Sequence, residues 1–422
     1  MDKRTFLKQA ALAGVGVPLS HSALAGLSGW IRRFEHLSSR DLAYAEDFWA
    51  GVRSGYNLNP AYINLENGYY NIMPTEILEA FMSRVREVNM EGAHYMRTVQ
   101  FDNKKAVAAR LAVLGGCSPE ELVITRNTTE SLDLIIGGIH WKEGDEAIMA
   151  EQDYGSMLEM FRQVGARYGV VNKILSIPNH PASDEDLVAL YAGAITSRTR
   201  LIMLSHMINI TGQILPIRKI CDMAHERGVQ VMVDGAHTYA HVQFTIPDLH
   251  CDYFGASLHK WLSAPLGSGL LYVRRDHIPE LWPIFAEPDH SATGIAVLNH
   301  TGTVPVHSDL AINAALDYYI NLGPARKEER LRYLQQYWTS QVRDIPHVSV
   351  NTPADPSRTC GIANVGIQGM APAALADVLM KRYKIYTVAI DGAGVHGVRV
   401  TPNVYTLPSE LDVLVRACKE LS

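Results

Sequence analysis

A chain of 422 residues, 47% of them apolar, has ample length to bury a large interior and is too long for one ordinary core, so two domains are expected. Its 44 acidic side chains outnumber 38 Lys and Arg for a net charge of -6, and no basic block interrupts the sequence, which excludes a nucleic-acid footprint. Five cysteines, Cys117, Cys221, Cys251, Cys360 and Cys418, are scattered without CxxC or His-flanked spacing, so neither a zinc or other metal site nor a disulfide framework is indicated.

Residues 1–25 read as a removable export signal. Lys3-Arg4-Thr5-Phe6-Leu7-Lys8 precedes an apolar stretch from Ala10 to Leu19 and the small-residue site Ala23-Leu24-Ala25. The stretch is too short and too rich in Gly and Ala to cross a membrane, so no stable anchor is expected. The basic pair followed by Thr-Phe-Leu-Lys resembles a twin-arginine signal, with Lys3 where that family has Arg. The expectation is a periplasmic or otherwise exported protein whose mature chain begins near Gly26; the alternative is a frayed amphipathic terminus on a cytoplasmic one.

After a leading segment, 26–74, residues 75–307 read as a large α/β domain. Leu122-Thr125, Glu146-Ala150, Val170-Ile177, Arg200-Ser205, Val229-Asp234, Asp252-Ser257 and Gly269-Val273 are predicted strands. Helices fit between most of them at Glu130-Gly137, Ser156-Tyr168, Asp184-Ala194 and Ile217-Arg227. Such alternation predicts a mostly parallel sheet covered on both faces, with ligands at the carboxyl ends of its strands. The helical segment Leu310-Leu322 then leads into a smaller α+β domain, 308–422.

The chemistry concentrates at two strand ends. Val231-Met232-Val233 runs into Asp234 and, three residues on, His237, while Ser257-Leu258-His259-Lys260 precedes a tight loop and another apolar run. A buried carboxylate able to sit beneath a pyridinium nitrogen and a lysine able to form an imine with an aldehyde are the minimal kit for holding pyridoxal phosphate as an electron sink. A lysine withdrawn from water also has a lowered pKa and becomes a usable nucleophile. Asn127-Thr128-Thr129-Glu130 follows a strand and opens a helix, where N–H groups, hydroxyls and the helix dipole suit a phosphate. The same four residues read as a capping box, with Asn127 at the cap and Glu130 three positions on.

Taken in order, Ile63-Asn64-Leu65-Glu66-Asn67-Gly68-Tyr69, Arg126 to Glu130, Asp153-Tyr154-Gly155, Ser205 to Gly212, Asp234 to His237, Ser257 to Lys260 and Val398-Arg399-Val400 carry a resemblance over most of the chain. The chain is similar to the class V aminotransferase family of fold type I pyridoxal phosphate enzymes, and within it to the isopenicillin N epimerase-like branch. The resemblance implies Lys260 as the imine-forming residue, Asp234 on the pyridine nitrogen, and a phosphate cup of Thr128, Thr129, Ser257 and His259. Gly302 and Thr303 of a neighbouring subunit would complete the cup, which implies a homodimer. His237 is placed at the ring edge or the phenolic oxygen, for which Asn209 is a second candidate. Tyr154, or alternatively Gln152 or Asp153, would lie over the ring face where the cysteine desulfurase relatives use a His. Arg399 matches the arginine that binds the substrate α-carboxylate, a role its planar fork suits.

These residues imply catalysis by Lys260, Asp234 and His237 at the α-carbon or amino group of an amino acid or an amino-acid-containing metabolite. Transamination or a related amino-group tailoring is the leading expectation, and an exported enzyme of this kind also resembles the periplasmic pyridoxal enzymes that tailor pyoverdine siderophores. Epimerisation or racemisation and C–S β-lysis are the alternatives. A desulfurase needs an acceptor thiol shortly before the carboxylate arginine, and Lys384 to Val398 contains no cysteine. A non-catalytic binding protein on the same fold is disfavoured by the presence of both Asp234 and Lys260.

Overall fold

The computed structural model describes residues 21–286 and 294–421. The Lys3-Arg4 motif lies outside them, while Ala23-Leu24-Ala25 falls within a helix, His21–Arg32. The strands are β1 (Ile63–Asn64), β2 (Leu122–Thr125), β3 (Glu146–Ala150), β4 (Val171–Leu175), β5 (Thr199–Ser205), β6 (Gln230–Asp234) and β7 (Tyr253–Ser257). They continue as β8 (Gly269–Val273), β9 (Val348–Val350), β10 (Ala363–Ile367), β11 (Ile385–Tyr386), β12 (Val388–Gly392) and β13 (Val395–Val400). The α/β reading holds: all seven predicted strands and all four intervening helices are present, their ends displaced by at most two residues. β4 stops at Leu175 because the backbone N–H of Ile177 turns to the Gln152 side chain, 3.0 Å away, instead of a neighbouring strand.

A seven-stranded sheet has the order β2-β8-β7-β6-β5-β3-β4, all parallel except β8, which is antiparallel to both neighbours. Because side chains alternate along a strand, Ile202, Leu204, Val231, Val233 and Phe254 enter one core with the helices Gln100–Gly115, Ile217–His225 and Val306–Leu322. Leu201, Met203, Met232 and Tyr253 enter the other with the helices Thr128–Gly138 and Gly155–Tyr168. Each such side chain contributes about 1.5–3 kcal/mol of burial. A four-stranded antiparallel sheet, β12-β13-β10-β9, packs its own core with Leu334, Trp338, Leu375 and Leu411.

The leading segment is tied to the carboxyl-terminal part of the chain through a separate two-stranded sheet. β1 pairs in parallel with β11, and Glu66 bridges Thr401. The fully buried Arg330 holds the same region: its guanidinium donates to the Ala43 carbonyl, both oxygens of Glu46 and the Thr406 carbonyl. Among the described residues no helix is long and apolar enough to cross a membrane, and all five cysteines are free thiols.

The amino ends of β6 and β7 are pinned by one buried carboxylate. Asp252 accepts from Val231 N–H at 2.7 Å and meets His225, His277 and Arg274 at 2.9, 3.0 and 2.6 Å. Burial alone would raise its pKa, but the hydrogen bonds from His225, His277 and Val231 outweigh that and hold it well below the usual carboxylate range. His277 is raised in turn: burial lowers it, and Asp252 and Glu280 more than offset this. The Asp252 contribution is present above the unfolded carboxyl pKa and is lost as pH falls through the folded one. The His277 contribution is complete below the unfolded imidazole pKa and is lost as pH rises through the folded one. Asp252→Asn is expected to cost about 3 kcal/mol or more. Thermal melts across pH should show a deficit that is largest where His277 is protonated and shrinks as pH rises through its raised folded pKa.

Candidate active site

The carboxyl ends of β5, β6 and β7, the amino end of the helix Thr128–Gly138, the loop after Gly68 and strand β12 enclose a cavity of about 420 Å³. Register sets its floor: Ser205 lies opposite Asp234, and Asp234 opposite Gly255. Asp234 accepts from Ala236 N–H at 2.9 Å. Beneath it, Asp153 accepts from Ser205 Oγ and from Ala150 N–H, both at 2.7 Å, and burial pushes its carboxyl up to about 7, with the Asp234 charge adding to the rise.

Lys260 Nζ stands 3.2 Å from His237 Nε2. Burial draws the lysine amine down to about 8; Asp234 opposes this, Arg399 adds to it, and Glu66 opposes it. Burial likewise raises Asp234, against the pull of Lys260. The two therefore disagree with a plain ion-pair picture, in which both would shift toward their charged forms, and desolvation decides the direction for each. His237 is held well below its ordinary value, first by burial and then by Lys260 and Arg399 nearby, so it is a neutral imidazole at working pH.

At one end of the cavity the strand β2 passes into its helix through Asn127, whose Oδ1 accepts from Glu130 N–H at 2.8 Å. The expected capping box is half formed. Glu130 does not return to the Asn127 backbone; its carboxylate takes Arg126 N–H and the Arg126 guanidinium instead. Ser257 Oγ accepts from Thr128 N–H at 2.9 Å and contacts Thr128 Oγ1 at 2.7 Å, and Thr129 and His259 complete the wall. Burial, then Lys260, lowers His259 to about 4. A Cβ at Gly269 would lie 2.7 Å from the Asn127 backbone, so a glycine on β8 is what lets the helix end close onto the sheet. Hydroxyls and the helix amino terminus, where the Thr129 N–H has no partner among the described residues, lie at one end; with a carboxylate at the floor and a lysine of lowered pKa between them they form a set that fits pyridoxal phosphate.

At the other end Arg399 is not the open fork expected. Its Nε and Nη2 already hold the two oxygens of Glu66 at 3.1 and 2.5 Å, and Nη1 donates to the Asn209 carbonyl at 3.3 Å. Of five guanidinium N–H groups, two remain for a further carboxylate. Glu66 also accepts from Gly68 and Tyr69 N–H. Tyr154 lines the cavity, whereas Gln152 donates to the carbonyls of Ile177 and Ala393 and Asp153 is turned under the floor, so neither alternative to Tyr154 reaches the site. Asn209 lines the cavity as well. Gly302 and Thr303 do not line it in their own chain; their neighbours Thr301 and Val304 share an adjoining hollow with Arg126 and Gly267. Glu66 and Ser205 are site features to which sequence reasoning gave no role, and Asp153, weighed there for the ring face, is bonded to Ser205 and Ala150 instead. A glutamate within the Asn64-to-Asn71 loop was visible, but its partner lies 333 positions away.

Fold and site together define a fold type I pyridoxal phosphate enzyme. The chain belongs to the class V aminotransferase family, whose model, described as Aminotransferase class-V, matches residues 73–417. Isopenicillin N epimerase from Amycolatopsis lactamdurans is 29% identical over 394 residues, covering 89% of this chain and 98% of that protein. The isopenicillin N epimerase of Streptomyces clavuligerus is 26% identical with the same coverage, 89% and 98%. A probable cysteine desulfurase from Synechocystis sp. is 28% identical over 69% of this chain and 72% of its own. Among solved structures, a C-DES mutant with glycine covalently linked to the PLP cofactor superposes with a TM-score of 0.80 at 21% identity, covering 88% of this chain and 99% of that one.

A Cβ at Gly68 would lie 2.8 Å from Arg399 Cζ, so the guanidinium rests on a bare backbone. Gly68→Ala should therefore displace Arg399, lower Tm through the disturbed Glu66 pair and raise KM for a carboxylate substrate about tenfold or more. Steady-state kinetics on carboxylate and amide forms of one substrate would check this, since only the carboxylate form should suffer.

Proposed function

We propose that this chain moves the α-proton of an amino acid, or of an amino-acid-containing metabolite, and that the reaction is transamination or a related tailoring of the amino group. When bound, pyridoxal phosphate supplies an electron sink for the charge left on the α-carbon. The residues would divide the work as follows. Thr128, Thr129, Ser257 and His259 hold the phosphate, Asp234 keeps the ring nitrogen protonated, Tyr154 covers the ring, and Arg399 orients the substrate carboxylate. Lys260 binds the cofactor and then accepts and returns the proton.

One observation carries the reading. Lys260 is the lining amine brought near neutrality, to about 8, while the two imidazoles beside it are pushed well below their ordinary values. A single base can lift a proton and set it down on a neighbouring atom on the same side, which is what transamination requires. Epimerisation is the second reading, favoured by the two epimerase relatives matched over 98% of their length. It needs a proton delivered from the opposite face. No cysteine is among the lining residues, and the hairpin β12–β13 brings Val388 and Ile390 to the cavity instead, which weighs against a desulfurase.

A homodimer belongs to the proposal: Met90 and Phe101 are 77% and 75% exposed, a pattern that suits a partner surface. Export belongs to it too, on the strength of the amino-terminal sequence. N-terminal sequencing of native protein should begin near Gly26, and an intact Met1 in the cytoplasm would remove that part.

Candidate amino donors added to the purified enzyme should convert the cofactor absorbance to the pyridoxamine form, with one keto product by mass. Inverted substrate chirality without that conversion would select epimerisation. Lys260→Ala should abolish borohydride trapping and lower turnover by about a thousandfold or more. A variant that is still trapped on the protein would refute the assignment of Lys260.

A further inference from the structure

Trp261, the residue after Lys260, is fully buried, and its indole Nε1 lies 3.3 Å from His237 Nδ1. An indole N–H can only donate, so Nδ1 is the bare nitrogen and a neutral His237 carries its proton on Nε2. That Nε2 is the atom 3.2 Å from Lys260 Nζ. A second histidine behind it is fixed by the same logic. The backbone N–H of Gly361 donates to His241 Nε2 at 2.9 Å, which leaves the His241 proton on Nδ1, 2.7 Å from the His237 carbonyl. A Cβ at Gly361 would come within 2.9 Å of that Nε2, so the contact needs a glycine.

The indole itself has little freedom. His241 stacks on it with ring centroids 3.6 Å apart and 21° between planes, and the backbone carbonyl of Trp261 accepts from the buried Lys327 Nζ. Two donors that cannot act as acceptors thus fix the direction of every hydrogen bond from Gly361 through His241 and from Trp261 through His237.

We propose that Trp261 is a positioning residue that locks His237 in its Nε2–H tautomer, so that the imidazole is an obligate donor toward Lys260 and cannot take the lysine's proton. The proposal rests on reading Lys260 as the cofactor lysine and explains how its amine is held ready. An ammonium at Lys260 would face the N–H of His237, a donor against a donor, whereas a neutral amine offers the lone pair that this N–H requires. The other charged and titratable groups facing Lys260 are Asp234, Glu66, Arg399 and His259. The two carboxylates favour the ammonium, so the donor imidazole acts against them together with burial and the guanidinium.

The test follows the Lys260 amine in the full-length protein, before and after addition of pyridoxal phosphate, by competitive acetylation across pH with peptide mass spectrometry. Trp261→Phe keeps an aromatic face for His241 but deletes the N–H. The Nδ1–H form of His237 then becomes accessible, and its bare Nε2 can accept from the ammonium. In the cofactor-free protein the acetylation midpoint should rise by about one pH unit, a roughly tenfold loss of neutral amine near neutrality. His237→Gln presents a carbonyl to Trp261 and an N–H to Lys260, and should leave the midpoint where it is.

A Trp261→Phe midpoint equal to that of the wild type, at unchanged Tm, overturns the proposal. Should that variant not fold, nitrogen-15 signals of the wild-type imidazoles decide. The His237 resonances, assigned by their loss in His237→Gln, must show the proton on Nε2, and a proton on Nδ1 overturns the lock. If borohydride traps a different lysine, the assignment of Lys260 fails while the tautomer result still stands or falls by itself.

Discussion

Withdrawing Asp234 and Lys260 from water is the constraint around which the site is arranged. Burial drives each toward its neutral form, and their mutual attraction resists. Much of what surrounds them answers that tension. Ala236 N–H donates to the carboxylate, His237 stands beside the amine, and the Glu66–Arg399 pair closes the far wall without adding net charge. Each of the three cationic side chains that line the cavity, Lys260, Arg399 and Arg126, has a carboxylate close by in Asp234, Glu66 and Glu130, so charge alone does little to choose among ligands. Selection falls instead to direction: two N–H groups of Arg399 at one end, and hydroxyls with a helix terminus at the other.

The sheet makes this arrangement inexpensive. Parallel strands in register deliver Ser205, Asp234 and Ser257 to one edge by the same periodicity that buries Leu204, Val233 and Ala256. The floor itself relies on two glycines, since a Cβ at Gly235 would run into the Phe254 ring and one at Gly255, opposite Asp234, into Leu132 and Ser131. Special backbone is used where elements approach closely, as where Gly269 admits the phosphate-end helix and Gly68 admits the Arg399 guanidinium.

The strands and helices were legible because their periodicities are unambiguous, and Asp234 and Lys260 stood out as residues of one cavity because each sits at or just beyond the end of a strand, where the pattern breaks. What stayed hidden depends on pairings distant in sequence or on choices among adjacent polar residues. Gln152, Asp153 and Tyr154 are equivalent candidates on paper, but the turn into the helix Gly155–Tyr168 can present only one of them to the cavity. Glu130 satisfied the capping pattern, yet Arg126 beside it offered a charged partner that the backbone of Asn127 could not match. Arg399 was recognisable as a fork, while its occupancy by Glu66 is a tertiary fact with no local trace.

The parallel pairing of β1 with β11 joins residue 63 to residue 385, across about three quarters of the chain. Contacts of such separation demand closure of a very long loop before they return any energy, so they are expected late in folding. Glu66 and Gly68 follow β1 directly and form the rim against Arg399. The mouth of the cavity is therefore expected to close after the floor with Asp234 and the amino end of the helix Thr128–Gly138. A cofactor meeting the nearly folded chain encounters an open basin, and the closing of the amino-terminal segment over it converts that basin into an enclosed site.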